Sequence, residues 1–184
     1  IEKAAEIIPQ VVKSVKEERT GKEEEILAPT HCPICQSLLE KEKGLVDLKC
    51  VNPHCPGKIQ GEMEYFVSRD GMNIAGLGGK IVEKLLDLGY LQDVSDIYQL
   101  KHRKEDLENL DKMGKKSVEN LLASIEESKK NKYAKVLYAL GIPFVGKVAA
   151  GILAKESKNI ENLESMREEE LKTIEGIGDK MAQA

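Results

Sequence analysis

Tryptophan is missing from this 184-residue chain, and phenylalanine occurs only twice. With aromatics at 4% of residues, a large core built around rings is excluded; small helical units held by local aliphatic packing suit a chain that is 33% charged. No apolar run reaches the roughly 20 residues that a membrane-spanning helix needs, and no secretory signal pattern opens the sequence. An excess of positive charge is missing too. The formal net charge is −4, which argues weakly against a nucleic-acid partner held by bulk charge. The chain opens on Ile1, not methionine, and stops at Gln183-Ala184 within a helical pattern. It therefore reads as a piece of a longer protein.

Cysteine is absent everywhere except between residues 32 and 55, where four occur as Cys32-x2-Cys35 and Cys50-x4-Cys55. Two close pairs separated by fourteen residues suit a tetrahedral site in which four thiolates satisfy one zinc ion. Two disulfides are the competing reading and would need an oxidising compartment. His31 and His54 adjoin the cysteines, but four sulfurs complete the shell, so both histidines read as bystanders. Leu38-Leu39 and Leu45 to Leu48 flank a Lys-Glu-Lys-Gly turn and predict a β-hairpin between the two cysteine pairs. A module of this size, residues 29–57, has almost no apolar core, so the metal should supply much of its folding free energy.

Before this module, Ile7, Ile8, Val11, Val12 and Val15 form a β-branched run broken by Pro9, which predicts an edge or bulged strand. Residues 16–25 read as a charged linker. Such a strand cannot bury its apolar face alone, so its sheet partners are expected to be missing from this piece.

From residue 58 the periodicity becomes helical. Ile59, Met63, Phe66 and Val67 mark one buried helix face. An internal repeat then appears, anchored on Gly78, Gly114, Gly146 and Gly178. One residue before each anchor stands Leu77, Met113, Val145 or Ile177; four before stands Ile74, Leu110, Ile142 or Ile174. Four after stands Val82, Val118, Ala150 or Ala182, and Leu85, Leu121 and Leu153 lie seven after the first three anchors. Each unit reads as a short helix, a hairpin and a second helix, the helix-hairpin-helix pattern. Gly76-Leu77-Gly78 and Gly176-Ile177-Gly178 carry both hairpin glycines, whereas Lys112 and Phe144 stand at the first glycine position of the others.

Glycine allows positive φ and close approach by another group. A hairpin that feeds a helix leaves that helix's first amides without partners, which suits one phosphate. Lys80, Lys112, Lys115, Lys116, Lys147 and Lys180 cluster near the hairpin glycines, while acidic residues gather elsewhere, as at Glu126-Glu127 and Glu168-Glu169-Glu170. Backbone amides bind phosphate without net positive charge, which answers the charge objection, and such contacts read no base sequence. The competing reading makes the glycines helix caps in an ordinary bundle.

The run from His31-Cys32-Pro33-Ile34-Cys35 to Phe66-Val67-Ser68-Arg69, then Met72-Asn73-Ile74-Ala75-Gly76-Leu77-Gly78, closely resembles the bacterial NAD-dependent DNA ligases. So do Met113-Gly114-Lys115-Lys116-Ser117, Leu137-Tyr138-Ala139-Leu140-Gly141-Ile142 and Ile8-Pro9-Gln10-Val11-Val12. The resemblance covers essentially the whole chain. It implies a mainly α protein: the C-terminal end of an oligonucleotide-binding barrel (1–28), a four-cysteine zinc finger (29–57) and a helix-hairpin-helix domain of four motifs, the last truncated (58–184). It implies a parent enzyme that seals nicks in duplex DNA in replication and repair through AMP intermediates. That enzyme would use NAD and magnesium, act as a monomer in the bacterial cytoplasm at the nucleoid, and engage no membrane. Structural zinc would sit on Cys32, Cys35, Cys50 and Cys55. DNA would lie on Gly76, Leu77, Gly78 and Lys80; on Lys112, Met113, Gly114, Lys115 and Lys116; on Val145, Gly146 and Lys147; and on Gly176, Ile177, Gly178 and Lys180.

The family's adenylated lysine lies in a Lys-x-Asp-Gly motif, and this sequence has none; Ser68-Arg69-Asp70-Gly71 keeps only its last two residues. No catalytic residue is therefore expected in this chain, whose adenylation and BRCT domains would lie outside it, and the piece alone should be inactive. Ala5 stands where the family often has glycine. Lys112 and Phe144 leave the second and third hairpins open as either phosphate contacts or packing turns. A free-standing helix-hairpin-helix and zinc subunit of a repair or recombination complex is the alternative, although the orphan strand before Pro29 argues against it. A zinc-stapled scaffold for protein partners is a third reading.

Overall fold

The computed structural model describes residues 2–4, 8–24, 26–41 and 46–184. Ala5, Ile7, Glu25, Leu45 and most of the Lys-Glu-Lys-Gly turn lie outside the described residues. Contrary to the expectation that the strand's partners would be missing, β1 (Glu2–Ala4) pairs antiparallel with β2 (Ile8–Gln10) in the register Glu2 to Gln10. The strand is shorter than the β-branched run predicted: Pro9 lies inside it, and Val11, Val12 and Val15 are coil at 74%, 56% and 51% exposure. β-branching favours a strand only where a sheet face covers the side chains, and no described residue covers these. Ile26 and Leu27 are likewise exposed.

The predicted hairpin between the cysteine pairs is present. β3 (Leu39–Lys41) pairs antiparallel with β4 (Leu48–Cys50), with Leu39 opposite Cys50. Only Cys32 and Cys55 are buried among the described residues from 26 to 57. Among the described residues the module has no apolar core of its own.

α1 (Pro56–Val67) starts directly from the last cysteine. Cys55 is its N-cap and Pro56 its first residue, where a missing N–H costs nothing. Met63, Phe66 and Val67 are buried and Ile59 is half-buried, as the periodicity predicts. The remaining helices are α2 (Gly79–Asp87), α3 (Lys104–Glu108), α4 (Lys115–Ser128), α5 (Tyr133–Ala139), α6 (Lys147–Ser157), α7 (Ile160–Ser165), α8 (Glu168–Lys172) and α9 (Asp179–Ala182). A 3-10 stretch, Asp96–Arg103, leads into α3.

Two cores result. The first gathers Met63, Phe66, Ile74, Leu77, Val82, Leu85, Val118 and Leu121 with Ile97, Leu100 and Leu107. The second gathers Leu137, Val145, Ala149, Ala150, Leu153 and Ile177. Hairpins one and two thus share one core, and hairpins three and four share another. α1 touches both α2 and α5, and the Tyr65 and Tyr138 rings meet at 5.3 Å between centroids.

The four hairpins share one backbone feature. Residues 76, 112, 144 and 176 all take positive φ, at 90°, 66°, 65° and 91°. The repeat thus demands a left-handed residue at the first hairpin position, and Lys112 and Phe144 adopt it although they carry Cβ atoms. A Cβ at Gly76 would lie 3.5 Å from Leu121 of α4, and one at Gly176 would lie 2.7 Å from Ile152 of α6. At Gly176 a Cβ would displace the end of the Ile152 side chain, whereas at Gly76 it would make only ordinary contact with Leu121, so φ is the constraint there. Lys112 and Phe144 are exposed and project outward.

Gly76→Ala should therefore cost about 1–2 kcal/mol, the penalty of a left-handed non-glycine residue. Gly78→Thr, two residues on, should change stability by less than about 0.5 kcal/mol, because threonine caps as well as glycine and the site is open. Urea denaturation followed by circular dichroism measures both.

Candidate functional site

The four cysteine sulfurs lie within 4.8 Å of one another. Cys32 Sγ is 3.8 Å from Cys55 Sγ, and Cys35 Sγ is 3.4 Å from Cys50 Sγ. A disulfide needs about 2.05 Å, so all four are free thiols. Four sulfurs at about 2.3 Å around one tetrahedral zinc stand about 3.8 Å apart, which matches the cluster. The donor set and spacing fit zinc.

Local backbone builds this cluster. The Cys32 amide donates to the Ser37 carbonyl at 2.7 Å, and the Gln36 amide donates back to the Cys32 carbonyl at 2.9 Å. Gln36 takes φ 59°, which closes the first knuckle. In the second knuckle, the Cys55 amide donates to the Asn52 carbonyl at 3.3 Å. Backbone N–H groups of Cys35 and Ile34 lower the pKa of Cys32; the hydroxyl and amide of Ser37 bring Cys35 down to about 6. Burial pushes Cys50 up to about 11. His31 bonds Thr30 at 2.9 Å, His54 is exposed, and neither belongs to the cluster.

The hairpins form the second candidate site. Gly78, Gly114, Gly146 and Gly178 are the N-caps of α2, α4, α6 and α9, each extended, at φ −80°, −77°, −80° and −91°. Positive φ is therefore not the reason for glycine here. Nor is packing: a Cβ at any of these four positions would meet no atom within 4 Å. Serine, threonine, aspartate or asparagine would cap a helix at least as well as glycine, yet none of the four helices has a side-chain cap. The amides of residues 79 and 80, 115 and 116, 147 and 148, and 179 and 180 find no protein acceptor among the described residues. Each N-terminus is left open to an outside group. The preceding residues Leu77, Met113, Val145 and Ile177 are all buried, so each open cap is fixed to a core.

The six lysines named in the sequence do not have equal surroundings. Lys80, Lys112, Lys115 and Lys116 have no carboxylate within ion-pair distance among the described residues. Lys147 is bonded to Asp70 at 2.7 Å. Lys180 lies over the Phe144 ring at 5.7 Å, and Asp179 places a carboxylate in the first turn of the four-residue α9. The second hairpin, left open by its Lys112, has three unpaired lysines around its cap. Sequence reasoning missed Asp70 as the partner of Lys147; the 76 residues between them carry no signal of that contact.

Two family models match the chain: the NAD-dependent DNA ligase C4 zinc finger domain at residues 31–56 and the helix-hairpin-helix motif at residues 135–184. The DNA ligase of Fusobacterium nucleatum is 66% identical over 97% of this chain and 26% of its own length. Those of Natranaerobius thermophilus and Bacillus subtilis are 48% and 44% identical over 99% and 100% of the chain. The chain spans about a quarter of the length of these relatives.

Because the zinc module has no core, Cys50→Ser should lose the bound zinc and unfold residues 29–57. The distal helices, whose two cores contain no residue of that module, should keep their helical signal. Metal analysis together with circular dichroism reads both; a Cys50→Ser protein that retains one zinc per chain contradicts the ligand set.

Proposed function

We propose that this chain, which fits the NAD-dependent DNA ligases over the segment it spans, is the C-terminal part of such an enzyme that holds duplex DNA by its phosphate backbone. The observation that carries this reading is the glycine at all four helix N-caps where neither φ nor packing requires one. A site kept free of Cβ, with unpartnered amides and the positive end of a helix dipole, suits close approach by a phosphate. Hairpins one and two, which lead into α2 and α4 and have unpaired lysines, are the stronger pair. Hairpins three and four have their cations engaged and contribute less.

Contacts of this type position the duplex without reading bases. In the parent enzyme they would hold the backbones on either side of a nick while domains elsewhere in that enzyme perform AMP transfer from NAD with magnesium. Zinc on Cys32, Cys35, Cys50 and Cys55 would be structural: with four sulfurs its shell is closed, leaving no position for substrate. It would fix the angle between residues 1–28, read as the end of an oligonucleotide-binding barrel, and α1. The nicked duplex as preferred target, action as a monomer and a place in the bacterial cytoplasm belong to the same proposal. Among the described residues no helix is long and apolar enough to cross a membrane.

Gly78→Thr and Gly114→Thr should each weaken binding to a nicked duplex about tenfold, or about 1.4 kcal/mol, while helicity is kept. Lys80→Gln should cost one phosphate contact and reduce the salt slope by about one. Fluorescence anisotropy across a salt series measures these effects; full-strength binding by the folded double threonine variant would make the hairpins structural turns. Incubation with NAD and magnesium should leave the chain without covalent AMP by mass spectrometry, because it has no Lys-x-Asp-Gly lysine.

A further inference from the structure

Asp70 lies in the turn after α1, outside every hairpin, yet its carboxylate takes the ammonium of Lys147 at 2.7 Å. Lys147 is the first residue of α6 and adjoins the open cap Gly146. Arg69, Lys135, Tyr138 and Lys147 line one surface depression with Asp70. Lys147 also sits 5.6 Å from the Tyr138 ring centroid. Three cations thus surround one carboxylate. The hydrogen bond and charge of Lys147 come first in holding the Asp70 carboxyl below its usual range, and the charges of Arg69 and Lys135 add to it. The side chains of Lys147 and Asp70 remain 58% and 65% exposed, so a phosphate can reach them from solvent.

We infer that Arg69, Lys135 and Lys147 form an additional phosphodiester-binding site for duplex DNA, with Asp70 as a built-in competitor that occupies Lys147 when DNA is absent. This inference rests on the proposed function and extends it from the hairpin amides to a side-chain cluster. Three facts favour it over a purely structural ion pair. The pair is exposed, and exposed pairs contribute little to stability. Arg69 and Lys135 make no ion pair with any other carboxylate among the described residues. The depression includes Lys147, the first residue of α6, and so adjoins that helix's open N-terminus. A phosphate entering there exchanges one anion for another, so the site gains little until Asp70 swings away. Asp70 therefore weakens binding by the third hairpin and reserves it for a duplex already held by the first two.

The test uses the chain and the same duplex as the hairpin variants. Asp70→Asn keeps the side chain's size and frees Lys147; it should bind about two- to fivefold more tightly, the range of an exposed ion pair. Its salt slope should steepen by about one, for the one extra phosphate neutralised. Arg69→Gln with Lys135→Gln in the Asp70→Asn background should remove that gain. Glu127→Gln frees Lys130 from an exposed pair of 2.6 Å and changes net charge equally, and it should leave the slope unchanged. If Asp70→Asn binds no more tightly than the unaltered chain, or Glu127→Gln gains as much, the site is overturned while hairpin binding stands. If the unaltered chain does not bind the duplex at all, the proposed function falls and this site with it.

Discussion

Four buried side chains hold everything else in place. Leu77, Met113, Val145 and Ile177, each 2% to 6% exposed, pin one residue of every hairpin into a core and so fix the direction of the helix that follows. Burying such a side chain is worth about 1.5–3 kcal/mol, enough to hold a turn whose preceding residue takes a costly left-handed conformation. With the turn fixed, the N-cap glycine and the two amides after it are left outside. The chain resembles a set of anchored helix ends more than a continuous binding surface, and its formal charge of −4 is then no obstacle to an anionic partner.

The hairpins do not act singly, because cores are shared in pairs and α1 joins the pairs. Its N-cap is the fourth thiol of the cysteine cluster, its buried face enters the first core, and Tyr65 near its end meets Tyr138 beside the second. The cysteine module therefore adjoins the start of the helix that touches both hairpin pairs. Metal and hairpins are thus linked through one twelve-residue helix. On the proposed function, simultaneous engagement of several hairpins would raise their effective concentration at the duplex, which would make their mutual geometry matter more than the strength of any one contact.

Much of this was legible in the sequence because local spacing sets it. The cysteine pairs, the strands around the intervening turn, the face of α1 and the repeat anchored on four glycines are all short-range patterns, and the structure keeps them. The strand predicted through Val15 ends at Gln10, since β-branched residues need a covering sheet that no sequence window shows. The reason for each glycine was also out of reach. At Gly76 it is φ, and at Gly176 φ together with the Ile152 side chain; at Gly78 and Gly114 it is neither. Only coordinates separate a glycine that serves the fold from one kept clear for something else. The Asp70 to Lys147 pair belongs to the same class, because tertiary packing joins two segments with no periodic relation.

The central claim is that phosphate meets the open helix ends, and backbone amide shifts report on it most directly. Titration of the isotopically labelled chain with a nicked duplex, followed by two-dimensional 1H–15N spectra, should move the amides of residues 79–80 and 115–116 furthest. The cysteine module and the buried faces of α2 and α4 should move little. Shifts concentrated away from the hairpins, on α3 or α7 for example, with those four amides unmoved, would contradict the claim.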